Sequence, residues 1–88
     1  MPAMFTLSYS KSAAKALAKM PRKIAGSMQA ELTKIAANPA TYRGDWKPLQ
    51  GSPFWRLRSG SYRAICEVRG KELHILVLKI GSRGDVYK

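Results

Sequence analysis

The chain has 88 residues, of which 16 are Lys or Arg and five are Asp or Glu, so its formal net charge is +11. This length predicts a single domain, residues 1–88, with a thin core, and a hydrophobic content of 45% excludes a disordered chain. The single cysteine excludes an internal disulfide, and no apolar run reaches the about 20 residues that a membrane helix needs. We therefore expect a cytoplasmic protein without a membrane partner, and its positive charge favours a polyanion such as nucleic acid.

The first half of the chain predicts one strand followed by two helices. Apolar side chains alternate along residues 4–9, which is typical of a half-buried strand. Ser10 or Ser12 can cap the helix that follows, and Pro21 separates it from a second helix that ends at Asn38. The second helix has an apolar stripe that we expect to face the core, formed by Ile24, Met28, Leu32 and Ile35.

The second half predicts a three-stranded antiparallel meander. A long polar connection occupies residues 38–53, and period-two alternation then begins at Phe54. A tight turn at Ser59-Gly60 joins the first two strands. Residues 72–80 are nearly all apolar and predict a central strand covered on both faces. Together these elements predict an α+β fold in which the helices pack on one face of a small sheet.

Several basic side chains are expected to meet on the uncovered face of that sheet. Arg56 and Arg58 share one side of their strand because side chains alternate, and Arg63 follows the turn close to them. Guanidinium groups suit phosphate, and aromatic rings can stack on unpaired bases. An ordinary exposed sheet face explains Arg56 and Arg58 equally well. The other expected members of the group are Phe54, Lys79, Arg83, Tyr87 and Lys88.

Other catalytic and metal-binding patterns are missing from the sequence. One histidine and one cysteine do not suffice for a zinc site of the usual composition, and no glycine-rich phosphate loop is present. We therefore expect no metal and no cofactor. His74 lies within an apolar run and is expected to be a packed or edge histidine and not a base, so that no histidine is placed to activate a serine.

The run FWRLRSGSYRAICEVRGKELHILVLKIGSRGDVYK resembles the C-terminal half of the RelE/ParE superfamily, the toxins of bacterial toxin–antitoxin operons. The resemblance rests on the WRLRSGSYRAIC hairpin, the apolar final strand and the IGSRGDVY ending. Upstream, LAKMPRKIAGSMQAELTKIAANP is similar to the helical hairpin of this family. The spacing of glycine, arginine, valine and tyrosine in the ending is similar to the RelE branch.

The resemblance to the RelE branch implies an activity and a partner. Such a protein is an endoribonuclease that cleaves messenger RNA in the ribosomal A site and inhibits translation. A protein antitoxin binds and neutralises it in a hetero-oligomer. Two alternatives remain open at this point, namely a ParE-like inhibitor of DNA gyrase and a toxin-fold binding protein without catalytic activity.

The resemblance also implies roles for individual residues. Tyr87 is expected to act either as a base or as a stacking platform, and a family lysine is replaced here by Phe54. Because of that replacement, the candidate proton donors are Lys47, Lys79 and ribosomal RNA. The implied catalytic residues are Arg56, Arg63, Arg83 and Tyr87. The expected RNA-binding residues are Lys47, Phe54, Arg58, Lys79 and Lys88.

Overall fold

The computed structural model describes residues 4–82, which form a layer of two helices packed on a five-stranded sheet. The predicted α+β class, with the helices on one face, is confirmed. A short 3₁₀ turn, Gly70–Glu72, precedes the last strand. The elements are β1 (Thr6–Tyr9), α1 (Lys11–Lys19), α2 (Arg22–Ala37), β2 (Asp45–Pro48), β3 (Phe54–Ser59), β4 (Tyr62–Arg69) and β5 (His74–Ser82).

The strands are ordered β1-β5-β4-β3-β2. β1 runs parallel to β5, whereas every other neighbouring pair is antiparallel. The sheet therefore has one more antiparallel strand than the sequence predicts, because β2 lies inside the connection expected at residues 38–53. Its sequence, DWKP, is short and ends in proline, which cannot donate to a strand ladder and is tolerated at an edge.

The core lies between the helices and one face of the sheet. The predicted stripe of α2 is confirmed at Met28, Leu32 and Ile35, which are fully buried. Ile24 was predicted wrongly, since it is 36% exposed. It lines an open groove against the β3–β4 turn, where Tyr62 is the one aromatic side chain among mostly small and polar lining residues, so Ile24 is only partly covered. The sheet contributes Leu57, Ala64, Cys66, Ile75, Val77 and Ile80 to this core.

The local signals at turns and helix ends are mostly those expected. Ser10 caps α1, and its side chain accepts a hydrogen bond from the backbone N–H of Ala13 at 3.0 Å. Asn38 ends α2. The β3–β4 turn is formed by Gly60 and Ser61, one residue later than predicted, and Gly60 has the positive φ of 62° that such a turn requires.

β5 lies between two neighbours, as a central strand should, but the prediction that both of its faces are covered was wrong. Within residues 4–82, the helices cover one face, whereas Leu76 and Leu78 are half-buried and Lys79 is exposed. The strand begins at His74 because the preceding Leu73 has a φ of 50° and ends the 3₁₀ turn. No helix in this described range is long and apolar enough to cross a membrane.

Candidate nucleic-acid interface

On the side of the sheet opposite the helices, five basic residues lie close together in two rows near the β3–β4 turn. We name this group the cationic face. The strand register sets them in two neighbouring rows, one containing Lys47, Arg56 and Lys79 and the other containing Arg58 and Arg63. The predicted meeting of Arg56, Arg58, Arg63 and Lys79 is thus confirmed by the pairing. Lys47 joins them because β2 is a strand and not a loop.

The two arginines nearest the β3–β4 turn face each other across the strands. Arg58 pairs directly with Arg63, and side chains in such positions have Cβ atoms about 5 Å apart. Like charges placed opposite each other are destabilising in a sheet. An anion between them relieves that repulsion, and a phosphate can accept hydrogen bonds from both guanidinium forks.

One carboxylate lies inside the cationic face. Arg56 donates a hydrogen bond from its guanidinium to Asp45 Oδ1 at 2.9 Å, and the Arg56 side chain is only 16% exposed. Asp45 also lies directly opposite Arg58. Five cations and this one carboxylate leave the group with a formal charge of +4. Sequence reasoning missed Asp45 because it assigned this segment to a loop.

Phe54 lies at the border of the cationic face. It is half-buried on the same side of β3 as Arg56, and it pairs with Glu67 on β4. Glu67 in turn accepts a hydrogen bond from Arg69 at 3.1 Å, so its charge is balanced locally. The ring is therefore placed beside the basic group, where a base can contact its exposed part.

A serine and a histidine meet farther along the same side of the sheet. His74 Nε2 lies 2.9 Å from Ser8 Oγ, within hydrogen-bond distance, although the sequence predicted no histidine placed to activate a serine. The parallel pairing of β1 with β5 creates this contact between residues far apart in the sequence. At about 3.3 Å per residue, His74 is about 16 Å from Lys79 along β5. We therefore assign the pair to joining β1 and β5 and not to the cationic face.

Gly81 is the last residue of β5 on this side of the sheet, and it lies opposite Arg63. Arg83, Tyr87 and Lys88, which the sequence analysis assigns to the site, lie outside the described residues. Their roles stay predictions.

The comparisons with known proteins agree with this architecture. A family model for the ParE toxin of type II toxin–antitoxin systems matches residues 7–87. The archaeal RelE of the RelE–RelB complex from Pyrococcus horikoshii is 26% identical, with a TM-score of 0.80 over 93% of this chain and 98% of that chain. The sequence has no match among the curated proteins.

Two further solved structures share the fold at lower identity. The isolated E. coli RelE toxin is 19% identical, with a TM-score of 0.73 over 94% of this chain and 90% of that one. A YoeB/ParE toxin from Agrobacterium tumefaciens is 15% identical, with a TM-score of 0.74 over 90% of this chain and 99% of that one. Taken with the family match over nearly the whole sequence, they confirm the resemblance, and the chain belongs to the RelE/ParE superfamily of type II toxin–antitoxin toxins.

Proposed function

We propose that this toxin is a ribosome-dependent endoribonuclease that cleaves messenger RNA in the A site and so inhibits translation. The observation that carries the proposal is the cationic face, in which the strand register brings Arg56, Arg58 and Arg63 together beside two lysines. A polyanionic substrate also accounts for the formal charge of +11 on so small a chain.

The proposed reaction uses the nucleophile that RNA carries itself. The 2′-oxygen attacks the adjacent phosphorus, the O2′–P bond forms and the P–O5′ bond breaks, which leaves a 2′,3′-cyclic phosphate and a free 5′-hydroxyl. Arginine stays protonated at any working pH, so it does not serve as the base. Arg58 and Arg63 instead stabilise the dianionic phosphorane by donating hydrogen bonds to its oxygens.

Proton transfer falls to other groups. In the proposed site, the ammonium group of Lys47 or Lys79 donates a proton to the leaving 5′-oxygen, because both lysines share the row of Arg56. Tyr87 then takes the proton of the 2′-hydroxyl or stacks on the neighbouring base. Phe54 stands where the family pattern has a lysine, so ribosomal RNA supplies part of the proton transfer, which explains a requirement for the ribosome.

The proposed partners follow from the same charge and from the family. The relative from Pyrococcus horikoshii was solved as a RelE–RelB complex. We propose that a cognate protein antitoxin likewise binds this chain in a hetero-oligomer and carries an excess of acidic residues in its binding segment. A ribosomal substrate places the toxin in the cytoplasm.

Cell-free translation with mapping of messenger 5′ ends tests the activity. We expect the wild-type protein to produce new 5′ ends within translated codons, only when ribosomes are present. Arg63→Ala should slow cleavage by about 100- to 1000-fold, as loss of one transition-state donor typically does. Lys15→Ala is the matched control, since it removes one charge from the exposed side of α1 and should leave the rate unchanged. If translation is inhibited while the messenger RNA stays intact, the proposal is wrong.

The tail residues need a test that separates activity from antitoxin binding. We expect Arg83→Ala, and to a lesser degree Tyr87→Phe, to abolish growth inhibition while the variants still co-purify with the antitoxin. A double variant that is as toxic as the wild type would remove the tail from the active site.

A gyrase target is the second candidate, because the family model that matches is that of the ParE toxins. A supercoiling assay with purified gyrase separates the two activities. Inhibition of supercoiling together with intact messages would favour the gyrase target, whereas an inactive binding protein would affect neither assay.

A further inference from the structure

β5 does not keep the regular alternation of a strand. Ile75 and Val77 are fully buried against the helices, so strict alternation would also turn Lys79 toward the core and Ile80 away from it. The structure shows the reverse, since Lys79 is exposed and Ile80 is 8% exposed. The phase of the strand therefore changes between Val77 and Lys79.

A β-bulge at Leu78 produces this change. Val77 pairs with Cys66 and Lys79 pairs with Ile65, so Leu78 is an extra residue without a partner on β4. The bulge keeps the charge of Lys79 out of the core, where burial without a partner would be costly. It also aligns Lys79 with the row of Arg56.

Ser10 contacts the bulge directly. Its hydroxyl donates a hydrogen bond to the backbone carbonyl oxygen of Leu78 at 2.6 Å, and its backbone N–H donates to the carbonyl oxygen of Val77 at 2.9 Å. The same hydroxyl oxygen accepts the N–H of Ala13 as the cap of α1. One side chain thus links the start of α1 to the point where β5 changes phase.

We infer that Ser10 is a positioning residue, whose hydroxyl holds the Leu78 bulge and thereby keeps Lys79 on the cationic face. The structural part of this inference stands on the contacts alone. Its functional part, that the bulge presents Lys79 to an RNA phosphate, rests on the proposed function.

Ser10→Asp separates the two tasks of the hydroxyl. Aspartate is as good a helix cap as serine, so α1 keeps its acceptor, but an ionised carboxylate has no proton to donate to Leu78. Ser10→Thr retains both capacities and serves as the rescue variant. Ser12→Asp is the matched control, because it adds the same charge at an exposed position of α1 that does not contact the bulge.

Thiol labelling measures the phase of β5. Lys79→Cys or Ile80→Cys is introduced into four backgrounds, namely the wild type, Ser10→Asp, Ser10→Thr and Ser12→Asp. The native Cys66 is buried and serves as an unreactive internal reference. In the wild-type background we expect fast labelling at position 79 and protection at position 80. Ser10→Asp should reduce the protection at position 80 by about tenfold, as expected for loss of one buried hydrogen bond. Unchanged protection in Ser10→Asp, or an equal loss in Ser12→Asp, would overturn the assignment.

A double-mutant cycle then tests the functional part, with a single-stranded oligoribonucleotide as the probe. Lys79→Ala should weaken binding and reduce the salt dependence by about 0.7 in log–log slope, the loss of one phosphate contact. Ser10→Asp should weaken RNA binding more than Ser12→Asp does. In a protein that already carries Lys79→Ala, Ser10→Asp should cause no further loss of RNA affinity than Ser12→Asp causes there. Additive effects would overturn the positioning role. If the Lys79→Ala variant binds RNA as tightly as the wild type, the functional part of the inference is refuted, whatever the result of the thiol labelling.

Discussion

At the residue scale, the most informative side chain is the acidic one. Asp45 binds Arg56 at 2.9 Å within a group that otherwise carries positive charge only. The pair orients the Arg56 guanidinium, but it also occupies donors that a phosphate would use. The site is therefore held in a state that is ordered and partly neutralised.

Asp45→Asn should release Arg56 to a phosphate ligand. We expect RNA affinity to rise by about fivefold, since a unit charge near 4 Å contributes about 1 kcal/mol in a solvated setting. The salt dependence should steepen by about 0.7 in log–log slope. Fluorescence anisotropy with a labelled oligoribonucleotide over a range of salt concentrations measures both quantities.

Glu72→Gln provides the comparison for this prediction. It makes the same change in net charge, but its carboxylate lies 3.7 Å from Arg69, outside the cationic face. An equal gain in affinity from the two variants would mean that total charge and not the position of Asp45 sets RNA binding.

At the element scale, entry of the chain into β2 depends on a glycine. The Tyr42 ring lies so close to Gly44 that any added Cβ atom would overlap it. The Tyr42 hydroxyl is held in place because it donates a hydrogen bond to Glu31 Oε1 of α2 at 2.5 Å. Beyond this point, Trp46 stacks on Trp55 with ring centroids 5.0 Å apart, which fixes β2 to β3.

Gly44→Ala should therefore destabilise the protein by about 1–3 kcal/mol, the usual cost of overpacking. Urea unfolding followed by tryptophan fluorescence measures the change. Gly26→Ala is the matched control, because a Cβ atom there meets nothing within 4 Å on an exposed turn of α2. That variant should gain up to about 1 kcal/mol from helix propensity, and equal losses from both changes would contradict the steric explanation.

Elements with strong local patterns were predictable from the sequence, and elements that depend on distant partners were not. The alternation through Arg56 and Arg58 predicted β3 and its face, because period two is visible within six residues. β2 was missed because its four residues have no such pattern and pair only through β3. The Leu78 bulge and the Ser8–His74 contact likewise require knowledge of which strands adjoin β5.

At the scale of the whole molecule, the buried thiol links stability to pH. Burial raises the pKa of Cys66 from its usual 9.0 to about 12. A raised pKa means that the folded state holds the thiol proton more tightly than the unfolded state does. The resulting contribution to the free energy of unfolding is complete below pH 9 and is lost as the pH rises toward 12. Burial also raises the pKa of Tyr9 and of Tyr42, which adds a loss of stability above about pH 10.

We expect the free energy of unfolding to fall steeply in alkali, with Cys66 contributing up to about 1.4 kcal/mol per pH unit. Urea unfolding at about pH 8 and about pH 11 measures the total fall. Cys66→Ala should be less stable than the wild type at the lower pH, because it leaves a small cavity in the core. Its free energy of unfolding should nevertheless fall less than that of the wild type between the lower and the higher pH. A fall of equal size in both proteins would show that the thiol does not control alkaline stability.

The position of β5 also affects how the protein is made. β5 follows every other described strand in the chain, yet it hydrogen-bonds both to β1 and to β4. Until the ribosome has synthesised it, β1 has no neighbour and the core lacks Ile75, Val77 and Ile80. The emerging chain therefore already carries Arg56, Arg58 and Arg63 while the sheet that aligns them is still incomplete. Order of synthesis alone therefore delays completion of the cationic face, which lacks Lys79 until β5 has joined the sheet.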